Sequence, residues 1–222
     1  MNRYIRIFPI LLGASLVDGN ALAGSALDGD RIGGSEPVRI PVSARPRIDL
    51  STSAREDAAN LKEIYSSFNG NEAELYDCCQ VWVVSTVKSD FHARYTLAMA
   101  FTPARDAIIR RIQLALSSES GRNALSISLH ADEGGMPGKA LQAFEVKDIP
   151  PEGNCCEVES VGPVDTLVRK GRTYWVVAKA SADTEGGWNF NSIGAAGLFA
   201  FNTGDGWQIR DLPLGAFRVL GE

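Results

Sequence analysis

Two cysteine doublets, Cys78-Cys79 and Cys155-Cys156, carry the sharpest chemical meaning in this chain. An even number of thiols can form disulfides wherever the surroundings are oxidising, and four thiols allow three connectivities. A bond inside a doublet strains the intervening peptide, because neighbouring Cα atoms lie closer than a disulfide normally spans. Cross-links between the doublets are easier to build. Each closes a loop of roughly 75 residues and stabilises by about 4 kcal/mol in the chain-entropy picture. Adjacent strand residues face opposite sides, so two parallel cross-links need the doublets in loops or at a bulge. The rival use is a metal site or a redox switch. Zinc ligands are usually separated by two to four residues, and neither doublet is.

Groups for catalysis are sparse. His92 lies in the polar stretch Ser89-Asp90-Phe91-His92, and His130 sits on the outward side of a strand just before Asp132-Glu133. No G-x-S-x-G elbow supports a serine nucleophile, and no glycine-rich phosphate loop is present. A polysaccharide hydrolase would pair carboxylates such as Asp132, Glu133, Asp183 and Glu185. Asp132-Glu133-Gly134-Gly135 also offers oxygens to a calcium ion, without the spacing of a dedicated calcium loop. We read it as a turn, and assign no catalytic residue and no cofactor.

Aromatic residues give the one positive hint of binding. Trp188-Asn189-Phe190-Asn191 follows Gly186-Gly187, and Trp207 follows Asp205-Gly206. A flat ring beside amide side chains is what a sugar platform needs. Trp188, Asn189, Asn191 and Trp207 are therefore the candidate ligand-binding residues, with an extracellular glycan or envelope component as partner. The competing reading places both tryptophans in the core, where large aromatics usually go.

The elements that must position these residues are strands. Leu125, Ile127, Leu129 and Ala131 alternate with Ala124, Ser126, Ser128 and His130; Ile112, Leu114 and Leu116 alternate with Arg111, Gln113 and Ala115. Period two puts one set inward and the other outward. Val81 to Val84, Leu97 to Phe101 and Tyr174 to Ala178 are apolar on both faces, as strands covered on both sides are. Ala140 to Val146, Gly197 to Phe201, Trp207 to Arg210 and Ala216 to Leu220 add further candidates. Ser120-Gly121, Gly134-Gly135, Pro137-Gly138, Pro150-Pro151, Lys170-Gly171, Gly186-Gly187 and Asp205-Gly206 read as the turns between them. The fold class is all-β: an antiparallel sandwich of jelly-roll type over residues 61–222.

Two segments precede that domain. Arg3 and Arg6, the apolar run Ile7 to Val17 and Ala21-Leu22-Ala23 form a secretory signal peptide over residues 1–23, implying a periplasmic or extracellular destination. The run is too short to span a bilayer as a helix. Residues 24–60 read as a flexible leader, rich in Gly, Ser, Pro, Asp and Arg, with scattered apolar residues. A short helix can follow, capped by Ser51 to Ser53 and carrying Ala58, Leu61 and Ile64 or Tyr65 on one face; the alternative makes Glu63 to Phe68 the first strand. The whole chain has 222 residues and a net charge of −5. That balance argues against nucleic-acid binding.

Five segments, in order, resemble a known exported bacterial domain. Tyr76-Asp77-Cys78-Cys79-Gln80-Val81-Trp82, Leu97 to Pro103, Ser128 to Gly138, Gly171 to Val177 and Gly187 to Asn191 are similar to motifs of the choice-of-anchor domain, R type. The resemblance covers about residues 62–222. It implies a surface- or matrix-associated β domain and implies no activity. The sequence departs from that family's pattern at its end, Leu220-Gly221-Glu222, where no apolar tail or basic cluster appears, so release is expected over anchoring. The remaining alternatives are a hydrolase and a self-assembling subunit that uses the 24–60 leader as a donated strand.

Overall fold

The computed structural model describes residues 61–71, 74–153 and 158–222, and within them the side chain of Cys79 is left out. The signal peptide, the leader, most of the capped helix, Cys155 and Cys156 lie outside the described residues.

Fourteen strands follow one another, with no α-helix among the described residues. They are β1 (Lys62–Ser66), β2 (Asp77–Ser85), β3 (Thr96–Phe101), β4 (Ala107–Leu114), β5 (Leu116–Ser120), β6 (Ala124–Glu133) and β7 (Met136–Lys147). Then come β8 (Glu159–Val161), β9 (Thr166–Val168), β10 (Tyr174–Ala180), β11 (Glu185–Phe190), β12 (Ala196–Asn202), β13 (Trp207–Pro213) and β14 (Phe217–Gly221). A six-stranded sheet runs β13-β12-β3-β10-β6-β7; a second runs β1-β14-β4-β8, with β9 also on β4; a third runs β2-β11-β5. The strand pairs within these sheets are antiparallel, and the sheets pack as a sandwich, as the alternating patterns require.

The two smaller sheets make one layer. β4 and β5 are separated by Ala115 alone. At that seam Ala115 N–H donates to Ala216 O, Asn189 N–H donates to Ala115 O, and Ala216 N–H donates to Asn189 O, at 3.0, 2.9 and 2.8 Å. Between the layers Leu97, Met99, Ile109, Ile127, Leu129, Trp188, Phe199 and Phe217 form a continuous core. These residues come from all three sheets, so burial of apolar area holds the layers together.

Several local expectations change. Lys62–Ser66 is strand β1, so the helix does not reach Ile64 and Tyr65; Ile64 enters the core, where a strand can deliver it beside β14. Gly186-Gly187 is not a turn but the middle of β11. A Cβ on Gly187 would stand 2.6 Å from Ser117 Oγ and 2.9 Å from Val81 Cβ. The glycines there are required by close approach rather than by reversal. Pro137-Gly138 lies inside β7, and the reversal is made by Gly134 and Gly135, with φ of 64° and 81°. Two positive φ values in succession suit a tight hairpin.

Polar anchors fix the loops. Asp106 accepts from Lys170 N–H and from the Arg169 guanidinium, each at 2.8 Å. The backbone bond first, and then Arg169, hold its carboxyl below the usual carboxylate range. Asn191 Oδ1 accepts from Ala195 N–H, while its Nδ2 donates to Ala195 O and Leu214 O. We expect Asn191→Ala, which strands those buried groups, to lower unfolding free energy by about 1–3 kcal/mol in urea titration. An unchanged midpoint would contradict the pinning role.

Candidate functional site

The sugar platform expected at Trp188, Asn189 and Asn191 does not exist on the surface. Trp188 is 0% exposed, and Asn189 and Asn191 are buried. The cause is topological: β11 is the middle strand of its sheet, and both of its faces are covered. Trp188 donates through Nε1 to Ala216 O at 3.0 Å and meets the Phe217 ring edge-on at 5.7 Å. Asn189 Nδ2 donates to Ala115 O at 3.1 Å, at the seam between sheets. These three residues are structural pins.

Trp207 is different. It opens β13, is half-buried, and packs on a small apolar cluster of Ala98, Trp175, Val177 and Ala200. This cluster is separate from the main core and marks the outer face of the six-stranded sheet. Cross-strand register defines a row on that face. Trp207 pairs with Asn202, and Asn202 with Thr96. Thr96 precedes the Leu97–Ala178 pair and so stands across from Lys179. Lys179 pairs with Ser126, and Ser126 with Glu145. Side chains in register share a face. One aromatic ring is therefore followed by five polar side chains across six strands.

Asp132 and Glu133, the calcium candidates, sit at the tip of the β6–β7 hairpin. Both oxygens of Asp132 have structural uses: Oδ1 accepts from Trp175 Nε1–H at 2.8 Å, and Oδ2 accepts from Gly135 N–H at 3.0 Å. Glu133 is exposed. Among the described residues no three His, Cys, Asp or Glu side chains are grouped to hold a metal ion. The register slips on both sides of His130. Such bulges bend a strand, and here the bend brings the tip to Trp175, which is 0% exposed despite lying on the outer face. His130 secures the bend. Its Nδ1 lies 2.8 Å from Gly138 O, and its Nε2 lies 2.9 Å from Ser128 Oγ. A carbonyl only accepts, so Nδ1 donates to Gly138 O, and Nε2 shares a hydrogen bond with the Ser128 hydroxyl. His92 occupies a tight turn with φ of 54°, its N–H donating to Ser89 O.

The four candidate carboxylates do not converge. Asp183 accepts from Arg122 N–H through Oδ1 at a loop. Only Glu185, 4% exposed, reaches a depression. That depression, of about 280 Å³, is lined by Asp90, Phe91, Glu119, Ser120 and Glu185. Sequence reading missed Asp90, Phe91 and Glu119 in this role, since pairing of β11 with β2 and β5 alone brings the segments together.

Cys78 is half-buried in β2, packed with Leu75 and Val158 against Phe68, Tyr76, Ala115 and Ala216. Among the described residues no helix is long and apolar enough to cross a membrane. The class these features define is an antiparallel β-sandwich with a polar, tryptophan-headed row on one outer face. No family model, curated protein or solved structure matches the chain.

We expect Asp132→Ala to cost about 1–3 kcal/mol in the wild-type background, and close to nothing once Trp175 is already Phe. Equal costs in both backgrounds, measured by denaturation, would show that the Trp175–Asp132 bond does not hold the hairpin tip.

Proposed function

We propose that this chain is an exported, non-catalytic module that binds an extracellular glycan or envelope component across the outer face of its six-stranded sheet. The observation that carries the reading is the row Trp207, Asn202, Thr96, Lys179, Ser126 and Glu145. A ring face stacks on a sugar's C–H surface, and neighbouring hydroxyl, amide and charged groups exchange hydrogen bonds with sugar hydroxyls. Export is supported by the N-terminal signal pattern and by the resemblance to the choice-of-anchor domain, R type.

Disulfides between the doublets belong to the same reading. Cys78 is not a free thiol. Ser118 donates to Pro150 O and accepts from Glu152 N–H, which ties down the chain before the second doublet. Val158, two residues past Cys156, packs beside Cys78.

A second reading, a hydrolase, is favoured by the depression that gathers Asp90, Glu119 and Glu185. Glycan-array screening of the exported chain separates the two. Binding should appear without cleavage of the glycan, and Trp207→Ala should weaken it about tenfold, or about 1.4 kcal/mol. Cleavage that Glu119→Gln abolishes would replace the binding proposal with the hydrolase. No retained glycan, or full retention by the Trp207 variant, would refute the row as the seat. Non-reducing peptide mapping should join the two doublets, and four free thiols in exported material would end that part of the reading.

A further inference from the structure

Asn69-Gly70 is the single Asn-Gly pair in the chain. It lies in the connection from β1 to β2. An asparagine side-chain amide is open to attack by the backbone nitrogen of the following residue. Glycine leaves that nitrogen unshielded, because it has no Cβ. At Gly70 the space is open as well: an added Cβ would meet nothing within 4 Å.

Two local hydrogen bonds involve Asn69. Its N–H donates to Leu75 O at 2.9 Å. Its Oδ1 accepts from Asn71 N–H at 3.2 Å. The second bond closes an Asx turn over Gly70. A donor on the amide oxygen polarises the amide carbonyl and leaves Nδ2 available to depart. Other asparagines are restrained in ways that oppose the reaction. Asn123 donates through Nδ2 to Ile149 O and accepts from Ile149 N–H through Oδ1. Asn189 and Asn191 are buried, with Nδ2 bonded to carbonyls. Asn202 is followed by β-branched Thr203, whose side chain shields the nitrogen.

We infer that Asn69 is a self-modifying site, converted to aspartate and isoaspartate without an enzyme. The Gly70 nitrogen forms a bond to Asn69 Cγ, and the Cγ–Nδ2 bond breaks. The leaving nitrogen takes up the Gly70 proton and departs as ammonia, which leaves a five-membered imide. Solvent water then adds to one of the two ring carbonyls and breaks its C–N bond. Opening on one side gives aspartate; opening on the other gives isoaspartate, with a longer backbone. The net change is water consumed and ammonia released, with no oxidation or reduction.

The product places a new carboxylate next to Phe68, whose ring carries the Arg218 guanidinium at 5.5 Å. It also alters the segment that leads into Cys78. The modification therefore marks the age of the molecule beside the Phe68 cluster on which Cys78 packs.

The test is incubation of the whole purified chain in warm, mildly alkaline buffer, followed by intact-mass, charge-variant and peptide-map analysis in ¹⁸O-water. The expected result is an acidic species with the label at position 69 and both isomers present. Asp205-Gly206 can isomerise through the same kind of ring, but without ammonia loss, so the acidic shift distinguishes the two sites. Gly70→Ala, which the open space accommodates, should slow conversion by an order of magnitude. Conversion at Asn123 before Asn69 would overturn the inference. So would an unchanged rate in Gly70→Ala, or a folded chain that stays intact while the urea-unfolded chain converts.

Discussion

The seam at Ala115, Asn189 and Ala216 is the constraint on which the rest of this fold depends. One layer of the sandwich is interrupted between β4 and β5 and again ahead of β14. An interruption in a buried layer would leave backbone donors and acceptors without partners. Three backbone bonds close the gap, and the Asn189 side chain adds a fourth, donated to Ala115 O. Asn191 does the corresponding work where the chain passes Ala195 and Leu214. With those groups satisfied, Trp188 can lie flush in the core and the two smaller sheets can meet the large one as a single surface.

Much of the strand pattern was legible in the sequence, because burial on one face imposes period two. Leu125, Ile127 and Leu129 read as inward, and all three are fully buried. Continuous apolar runs such as Val81 to Val84 also read correctly as strand. Gly186-Gly187 did not, since a glycine pair looks the same in a turn and in a crowded strand. Only the neighbour that a side chain would strike tells them apart, and that neighbour, Ser117, is distant in sequence. Of the two readings of Trp188, core and platform, the core one holds; the amides beside it resemble sugar-binding groups until their carbonyl partners are known.

The outer-face row was invisible for a different reason. Trp207, Asn202, Thr96, Lys179, Ser126 and Glu145 belong to six strands, and only register aligns them. Register depends on every intervening pair, and a shift by one residue would send each of these side chains to the opposite face. The acidic depression is hidden in the same way, as its residues come from segments around 90, 119 and 185. Motif spacing along a chain is informative where one loop builds a site and silent where a sheet does.

The large sheet has one more property. Its outermost strands, β7 and β13, come into contact with each other, although six strands laid flat would hold them about 24 Å apart. The sheet is therefore curved, with the bulged β6–β7 hairpin bent over the face that carries Trp175. The charged Arg210 and Asp211 stand along β13, and charge on an edge strand opposes pairing with a foreign one. Bend and charge together act against a foreign strand adding to that end of the sheet.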